Sequence, residues 1–390
     1  MAEYVRLDEA CEIKMGQSPD SNSYNENGEG LPFFQGNADF GDVYPETRVW
    51  CSSPVKIVEP ETLLISVRAP IGALNFAKDK SCIGRGLAGI SPKESYRSKY
   101  IYFCLKNKKN ELMDKGTGST FKAIAKNALG ETLVRKIPLA EQDHIVKILS
   151  NIQSVIVSRK KEITELDDLI KARFVEMFGD PETNTFHWEV VHLNDVCSSV
   201  VRGPFGSALK KEFFVPKGEN TYKVYEQKHA IQKDASLGTY YITSEKYQEL
   251  HRFECNPGDI LMSCSGTMGE LYTLPEECEK GIINQALCKF TLNNRILPRC
   301  FIEYMQQTIG HLRTQGSGIK NIAAIKYVKE LPINLPPIDV QVQFVDFANQ
   351  VDKSKVVAYK LLNFALFLTY RAYKVLYVSI YEKMILSQVC

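Results

Sequence analysis

The sequence has no CxxC pair, no HExxH or HxH pair, no long unbroken apolar run and almost no net charge. Each absence removes a class of function. The eleven cysteines, Cys11, Cys51, Cys82, Cys104, Cys197, Cys255, Cys264, Cys278, Cys288, Cys300 and Cys390, are scattered without zinc-ligand spacing. An odd number so arranged fits free structural thiols in a reducing compartment better than a disulfide framework. Six histidines without a paired motif leave a metal hydrolase no visible ligand set, so no metal is expected. The most apolar stretch, 361–368, is interrupted by Asn363 and soon followed by Arg371 and Lys374, too short to span a membrane. The opening MAEYVRLDEA has no apolar signal-peptide core, and a cytoplasmic location is expected. A formal charge of +2 argues against a purely electrostatic nucleic-acid binder while leaving local basic faces open.

Enzyme motifs are equally sparse. Gly116-Thr117-Gly118-Ser119-Thr120 is glycine-rich but lacks the spacing and lysine of a nucleotide P-loop. Gly84-Arg85-Gly86-Leu87-Ala88-Gly89 has the letters GxGxxG, yet no helical pattern follows and 284–289 contains no glycine. Asn334-Leu335-Pro336-Pro337 resembles an amino-methylating NPPY motif only superficially, because a leucine intervenes and no aromatic follows. No catalytic centre, and no cofactor held by this chain, is expected.

What the sequence does contain is a duplication. Its 390 residues, 44% hydrophobic and 24% charged, are ordinary for soluble globular protein and predict two or three domains. Leu7-Asp8-Glu9-Ala10-Cys11 returns as Leu193-Asn194-Asp195-Val196-Cys197. Leu64-Ile65-Ser66-Val67-Arg68-Ala69-Pro70-Ile71-Gly72 corresponds to Leu261-Met262-Ser263-Cys264-Ser265-Gly266-Thr267-Met268-Gly269, each reading as a buried strand entering a glycine turn. Gly116-Thr117-Gly118 pairs with Gly316-Ser317-Gly318, and Ile137-Pro138 with Pro336-Pro337. The offsets, 186 at the start and 197 to 200 later, keep the order and place insertions early in the second copy.

A long helical segment follows each copy. Residues 143–178 contain no proline or glycine, and Ile145, Leu149, Ile152, Ile156, Ile163, Leu166, Ile170 and Met177 form a heptad seam broken by Arg159 and Arg173. Such a helix is about 54 Å long at 1.5 Å per residue, and Gly179 and Pro181 stop it. From Val340 the pattern repeats through Phe344, Ala348, Val351, Leu362, Leu366, Tyr373, Leu376 and Ile380. The predicted fold is α+β: duplicated strand-rich bodies at 1–137 and 181–336, joined by helices at 138–180 and 337–390 that form an antiparallel coiled-coil spacer.

The bodies offer binding surface. Residues 97–136 hold ten basic side chains against three acidic ones, and 202–233 hold seven against three, interleaved with aromatics. The glycine-hydroxyl loops, with Thr117, Ser119 and Lys122 in one copy and Ser317, Lys320 and Asn321 in the other, suit close approach to phosphate. Gln17, Ser18, Gln35, Asn37 and Arg68, and Arg202, Ser207, Lys210, Lys211 and Ser265, sit on predicted loops from which base edges are reachable. The alternative for each stretch is a solvated basic surface backed by core aromatics.

Met15-Gly16-Gln17-Ser18-Pro19, Leu31-Pro32-Phe33-Phe34-Gln35-Gly36-Asn37, the 64–72 strand, the 116–122 loop and Pro138-Leu139-Ala140-Glu141-Gln142 occur in an order that runs twice through the chain. This order resembles the specificity (S) subunit of type I restriction-modification systems, over essentially the whole length. The resemblance implies two target recognition domains, each reading one half of a bipartite double-stranded DNA site. It implies helices that dock two methyltransferase subunits and set the gap, with restriction/translocase subunits completing the complex. S-adenosylmethionine, ATP and Mg are expected on those partners, which carry out DNA methylation and cleavage. The second copy departs from the pattern: Gly203-Pro204-Phe205-Gly206 stands where the first has Gly16-Gln17-Ser18-Pro19, and Ile338-Asp339-Val340-Gln341 replaces Leu139-Ala140-Glu141-Gln142. Two rival readings are the specificity subunit of a type IIB-like system and, in a different class, a coiled-coil protein-interaction adaptor.

Overall fold

The computed structural model describes residues 3–118, 122–314 and 325–377, with side chains at all of these but 206, 310–314 and 374–377. The chain divides into two compact units, residues 1–160 with 359–390 and residues 161–358. Each unit comprises one strand-rich body and half of each long helix. Ser119, Ser317, Lys320 and Asn321, and the side chain of Leu376, lie outside the described residues.

In the first unit a four-stranded antiparallel sheet runs in the order Cys11–Met15, Leu87–Pro92, Leu63–Ser66, Leu74–Phe76. The second unit repeats this order with Cys197–Arg202, Leu287–Leu292, Ile260–Ser263 and Leu271–Thr273. Strands Leu63–Ser66 and Ile260–Ser263 are buried throughout, which is why their sequences read as unbroken apolar runs. Cys11–Met15 alternates buried and exposed residues over Cys11 to Lys14, as a strand with one wet face must.

A second, mixed sheet stands beside the first in each unit. Its centre is a parallel pair, Leu31–Phe34 with Ser81–Ile83 in the first unit and Thr221–Tyr225 with Gly281–Ile283 in the second. A short strand, Ile57–Val58 or Glu254–Cys255, flanks the pair antiparallel. The duplication therefore extends to sheet topology, and the body is α+β.

The first unit's core gathers Leu7, Ile13, Leu63, Ile65 and Ile90 under helix α1 (Ser98–Asn107), whose Tyr100, Ile101 and Leu105 are fully buried. All ten described cysteines are free thiols, nine of them buried. Burial pushes Cys11 and its counterpart Cys197 up to about 12, so neither is a reactive thiolate.

Two forty-residue helices follow the bodies, α2 (Leu139–Phe178) and α4 (Ile338–Tyr377), with α3 (Pro298–Thr314) between them in sequence. Each long helix is clamped where it starts. The fully buried Gln142 accepts from the Arg97 N–H at 2.9 Å and donates to the Ser95 and Ile137 carbonyls, both at 2.9 Å. Gln341 repeats this, accepting from Leu297 N–H at 2.8 Å and donating to Arg295 and Pro336 at 2.9 and 3.0 Å. Gly179, at φ +80°, ends α2 in the left-handed conformation that favours glycine.

Within the first unit, Leu149 of α2, with Ile145 and Val146, joins the body's core together with Ala372 and Tyr373 of α4. Within the second, Ile170, Phe174 and Phe178 of α2 join Phe344, Ala348 and Val351 of α4, with the Phe174 and Phe344 rings edge-to-face at 5.4 Å. Ile163 is buried, and Ile152, Ile156 and Leu166 are half-buried, on the same stripe. On α4 the buried stripe passes through Ala358, Leu362 and Ala365, leaving Leu366 45% exposed. A step of three from Leu362 follows the stripe better than the step of four that leucine suggests. No helix of the described residues is long and apolar enough to cross a membrane.

Candidate nucleic-acid interface

One end of the first body is built from five loops tied together by main-chain hydrogen bonds. Gly16 N–H donates to the Leu87 carbonyl at 2.9 Å and Gln17 N–H to Ile83 at 3.0 Å. The approach is so close that a Cβ on Gly16 would lie 2.1 Å from the Gly84 carbonyl oxygen. Gly84 N–H donates to Phe34 at 2.8 Å, and Val67 N–H to Gly86 at 2.9 Å. Ala69 N–H then reaches Lys122 at 3.2 Å, and Thr117 and Ala123 exchange two bonds of 2.9 Å.

The polar residues expected from the sequence are thereby brought together. Gln17, Gln35, Arg68, Thr117 and Lys122 are exposed along this rim, and Ser18 and Asn37 are half-buried in it. Ser18 Oγ accepts from Arg85 N–H at 3.4 Å. Asp39 stiffens the Gln35 turn by accepting from Gln35 and Gly36 N–H at 2.7 and 3.2 Å, itself paired with Arg48 at 2.7 Å. Ser66 holds the Arg68 turn, donating to Pro70 at 2.7 Å and accepting from Ala73 N–H at 2.9 Å.

The second body rebuilds the same frame with different side chains. Gly203 N–H donates to Leu287 at 3.0 Å, and a Cβ there would lie 1.9 Å from the Asn284 oxygen. Asn284 N–H donates to Tyr225 at 2.9 Å and Cys264 N–H to Ala286 at 2.7 Å. Ser263 clamps its turn as Ser66 does, through Thr267 and Glu270 at 2.6 and 3.0 Å. Arg202 lies half-buried on this frame, its guanidinium 5.1 Å from the Phe205 ring, and Ser265 occupies the place of Arg68. Ser207, Lys210 and Lys211 are exposed on the short turns that follow, where Lys210 pairs with Glu212 at 3.5 Å.

The basic stretches are thinner than composition suggests. In the first, Arg97, Lys108, Lys115 and Lys136 pair with Asp143, Glu111, Glu111 and Glu3. In the second, Lys217 and the buried Lys223 share Glu279, while Lys228 and Lys233 pair with Glu226 and Glu270. Burial opposes ionisation of Glu279, but hydrogen bonds from Lys217 and Lys223 hold it below the usual carboxylate range. The nearby aromatics are structural too, with Tyr222 stacked on Tyr247 at 3.8 Å and Phe214 on Tyr240 at 4.6 Å. Phe205, 64% exposed, is the exception.

His229 is also structural. It is fully buried, its Nδ1 2.8 Å from the Glu226 N–H and its Nε2 2.6 Å from the Leu237 carbonyl. Burial holds it below the ordinary histidine value. Among the described residues no group of three histidine, cysteine or acidic side chains is placed to hold a metal.

Two rim residues are not singled out by the sequence alone. Arg85 and Gln285 occupy the apices of the equivalent loops Gly84-Arg85-Gly86 and Asn284-Gln285-Ala286, both exposed. The strand Leu87–Pro92 follows the first, so its glycines serve close packing and not a dinucleotide: a Cβ on Gly86 would meet the Gln35 oxygen at 2.2 Å.

Residues 2–167 and 187–360 both match the family model of the type I restriction modification DNA specificity domain. Over 156 residues the chain is 45% identical to a Methanocaldococcus jannaschii protein whose name assigns it, provisionally, to the specificity subunit of the type I restriction enzyme MjaX. Over 130 residues it is 31% identical to the MjaIX specificity subunit of the same organism. These matches take in 40% and 33% of this chain but only 37% and 30% of those proteins. The fold is similar to the crystal structure of a type I restriction-modification S subunit from M. genitalium, with a TM-score of 0.55, 15% identity and 97% of both chains covered. With each half of its duplicated architecture matched in turn, the chain belongs to the family of type I restriction-modification DNA specificity domains.

Proposed function

We propose that this chain is the DNA-reading specificity subunit of a type I restriction-modification complex, each body recognising one half of a bipartite double-stranded site. The observation that carries this is the repetition of one loop frame, with a shared set of main-chain hydrogen bonds and different side chains, on two copies of one sheet topology. A shared frame with divergent tips is what two unequal half-sites require. Helices α2 and α4 act as an antiparallel spacer that fixes the gap, a role favoured by the packing of the end of α2 against the start of α4 in the second unit.

The outward side of α4 presents Val357, Tyr359, Phe364, Phe367 and Tyr370, each more than 45% exposed. So much apolar surface on one helix suits docking of partner subunits, here two methyltransferase chains, with restriction/translocase subunits joining them. S-adenosylmethionine, ATP and Mg belong to those partners, this chain contributes no catalysis, and the complex works in the cytoplasm. The test is equilibrium binding of duplex DNA by the complex assembled with its methyltransferase. Affinity for the cognate duplex falls by orders of magnitude between 50 and 200 mM salt if several phosphates are neutralised. An assembled complex with no affinity for DNA refutes the proposal in favour of a protein adaptor.

A further inference from the structure

We infer that Arg85 and Gln285 are equivalent base-reading residues, Arg85 engaging a guanine in one half of the DNA site and Gln285 an adenine in the other. The inference rests on the DNA-reading function proposed above and names the side chains that exercise it.

The two loops correspond bond for bond. Gly84 and Asn284 donate to the carbonyls of Phe34 and Tyr225, at the ends of equivalent strands. Leu87 and Leu287 close the loops by donating to Gly84 and Asn284 at 3.0 and 3.1 Å. The carbonyls of Gly86 and Ala286 accept from Val67 and Cys264. Each loop also joins the middles of both sheets. Ser81–Ile83 lies between Leu31–Phe34 and Ile57–Val58, and Leu87–Pro92 between Cys11–Met15 and Leu63–Ser66. Gly281–Ile283 and Leu287–Leu292 are flanked in the same way. A loop whose backbone is anchored to two sheets at once presents its apical side chain from a fixed position, as a specific contact requires.

Exposure isolates these two residues. Between Lys80 and Ser91, Arg85 is the one exposed side chain, and Gln285 is the one exposed side chain between Lys280 and Asn294. Arg85 makes no ion pair with any described residue. By contrast Arg6, Arg48, Arg97, Arg295 and Arg299 all have carboxylate partners. An anchored loop thus offers a guanidinium fork whose donors no described residue takes up.

The pair of residue types favours base over phosphate. A neutral glutamine can donate to a phosphate oxygen but neutralises no charge there, so a charge-based phosphate contact by Arg85 would not be kept by Gln285. What arginine and glutamine share is two parallel hydrogen-bonding groups: the arginine fork matches guanine O6 and N7, and the glutamine amide matches adenine N6 and N7. The change from Arg85 to Gln285 alters which base is matched and leaves the mode of contact intact.

The test is selection of randomised duplexes by the assembled complex, followed by titration of single duplexes, for the wild type, Arg85→Lys, Gln285→Ala and Gln285→Arg. Arg85→Lys keeps the charge and loses the fork. It should relax a guanine preference at one position of one half-site by about tenfold or more, with the other half-site and the gap unchanged. Gln285→Ala should relax an adenine position in the opposite half, and Gln285→Arg should shift that position toward guanine. Unaltered base preferences in folded Arg85→Lys and Gln285→Ala, or a uniform loss across all sequences, would overturn the assignment while leaving DNA reading intact. A wild-type complex without sequence preference would overturn DNA reading and this assignment with it.

Discussion

Replacing Gln142 by alanine tests whether the body and the spacer helix are joined by the clamp that the structure describes. The side chain is fully buried and makes three hydrogen bonds of 2.9 Å, all to main-chain groups. Two of these bonds are partly buried and one, to the Ile137 carbonyl, is fully buried. At about 1 kcal/mol net for each partly buried bond, and about 1–3 kcal/mol for a buried carbonyl left unsatisfied, the loss comes to roughly 3–5 kcal/mol. A domain is stable by only about 5–15 kcal/mol, so the effect is large. Urea denaturation of the full chain should show a midpoint lowered by about 1–2 M or more with an unchanged slope. Gln341→Ala should destabilise the other unit by a similar amount, because its three bonds repeat the set. A loss below about 1 kcal/mol in both variants would refute the reasoning, since water would then be replacing the clamp.

Gly86→Ala and Gly16→Ala should each cost about 1–3 kcal/mol by overpacking, because the new Cβ meets a carbonyl oxygen at 2.2 or 2.1 Å. Gly36→Ala, with nothing within 4 Å, should be neutral in the same thermal melts. His229 gives a pH prediction. Its folded value lies below the ordinary 6.5, so on acidification the unfolded chain takes up a proton that the folded one refuses. The contribution is intact above 6.5 and lost as pH falls below it, and His229→Gln should flatten that part of the stability profile. A heptad added to α2 within 158–164, matched by one in α4 near 354–358, lengthens the spacer by about 10 Å. It should change the gap between half-sites and leave their bases unaltered, as sequencing of methylated DNA would read.

Much of the fold is legible in the sequence because duplication preserves the residues that do structural work. Leu7 and Leu193 are both fully buried, Cys11 and Cys197 both buried, and Ser66 and Ser263 clamp equivalent turns. The helices are legible because a seam at steps of three and four persists for many turns. Where the seam runs through alanine, the pattern misleads: Ala365 is buried while the larger Leu366 faces outward. The pairing within the mixed sheets is hidden because each holds a flanking strand, Ile57–Val58 in one and Glu254–Cys255 in the other, only two residues long. Gln142 and Gln341 are concealed by unlike neighbours, Leu139-Ala140-Glu141 against Ile338-Asp339-Val340.

The rim was partly legible. Glycines mark where loops approach closely, so Gln17, Ser18 and Arg68 could be placed near a surface by their neighbours. Net charge along a stretch was a poorer guide, because Glu279 and Glu270 neutralise lysines of a segment remote from them in sequence. Arg85 was obscured by a motif borrowed from another fold, and Gln285 by the loss of both glycines from its loop.

The most direct measurement is the methylated motif in DNA from cells that carry this chain and its partner subunits. Two copies of one frame with different tips predict a bipartite motif with two unequal halves separated by a fixed gap. A continuous palindrome, or methylation without sequence preference, would contradict the claim that each body reads its own half-site.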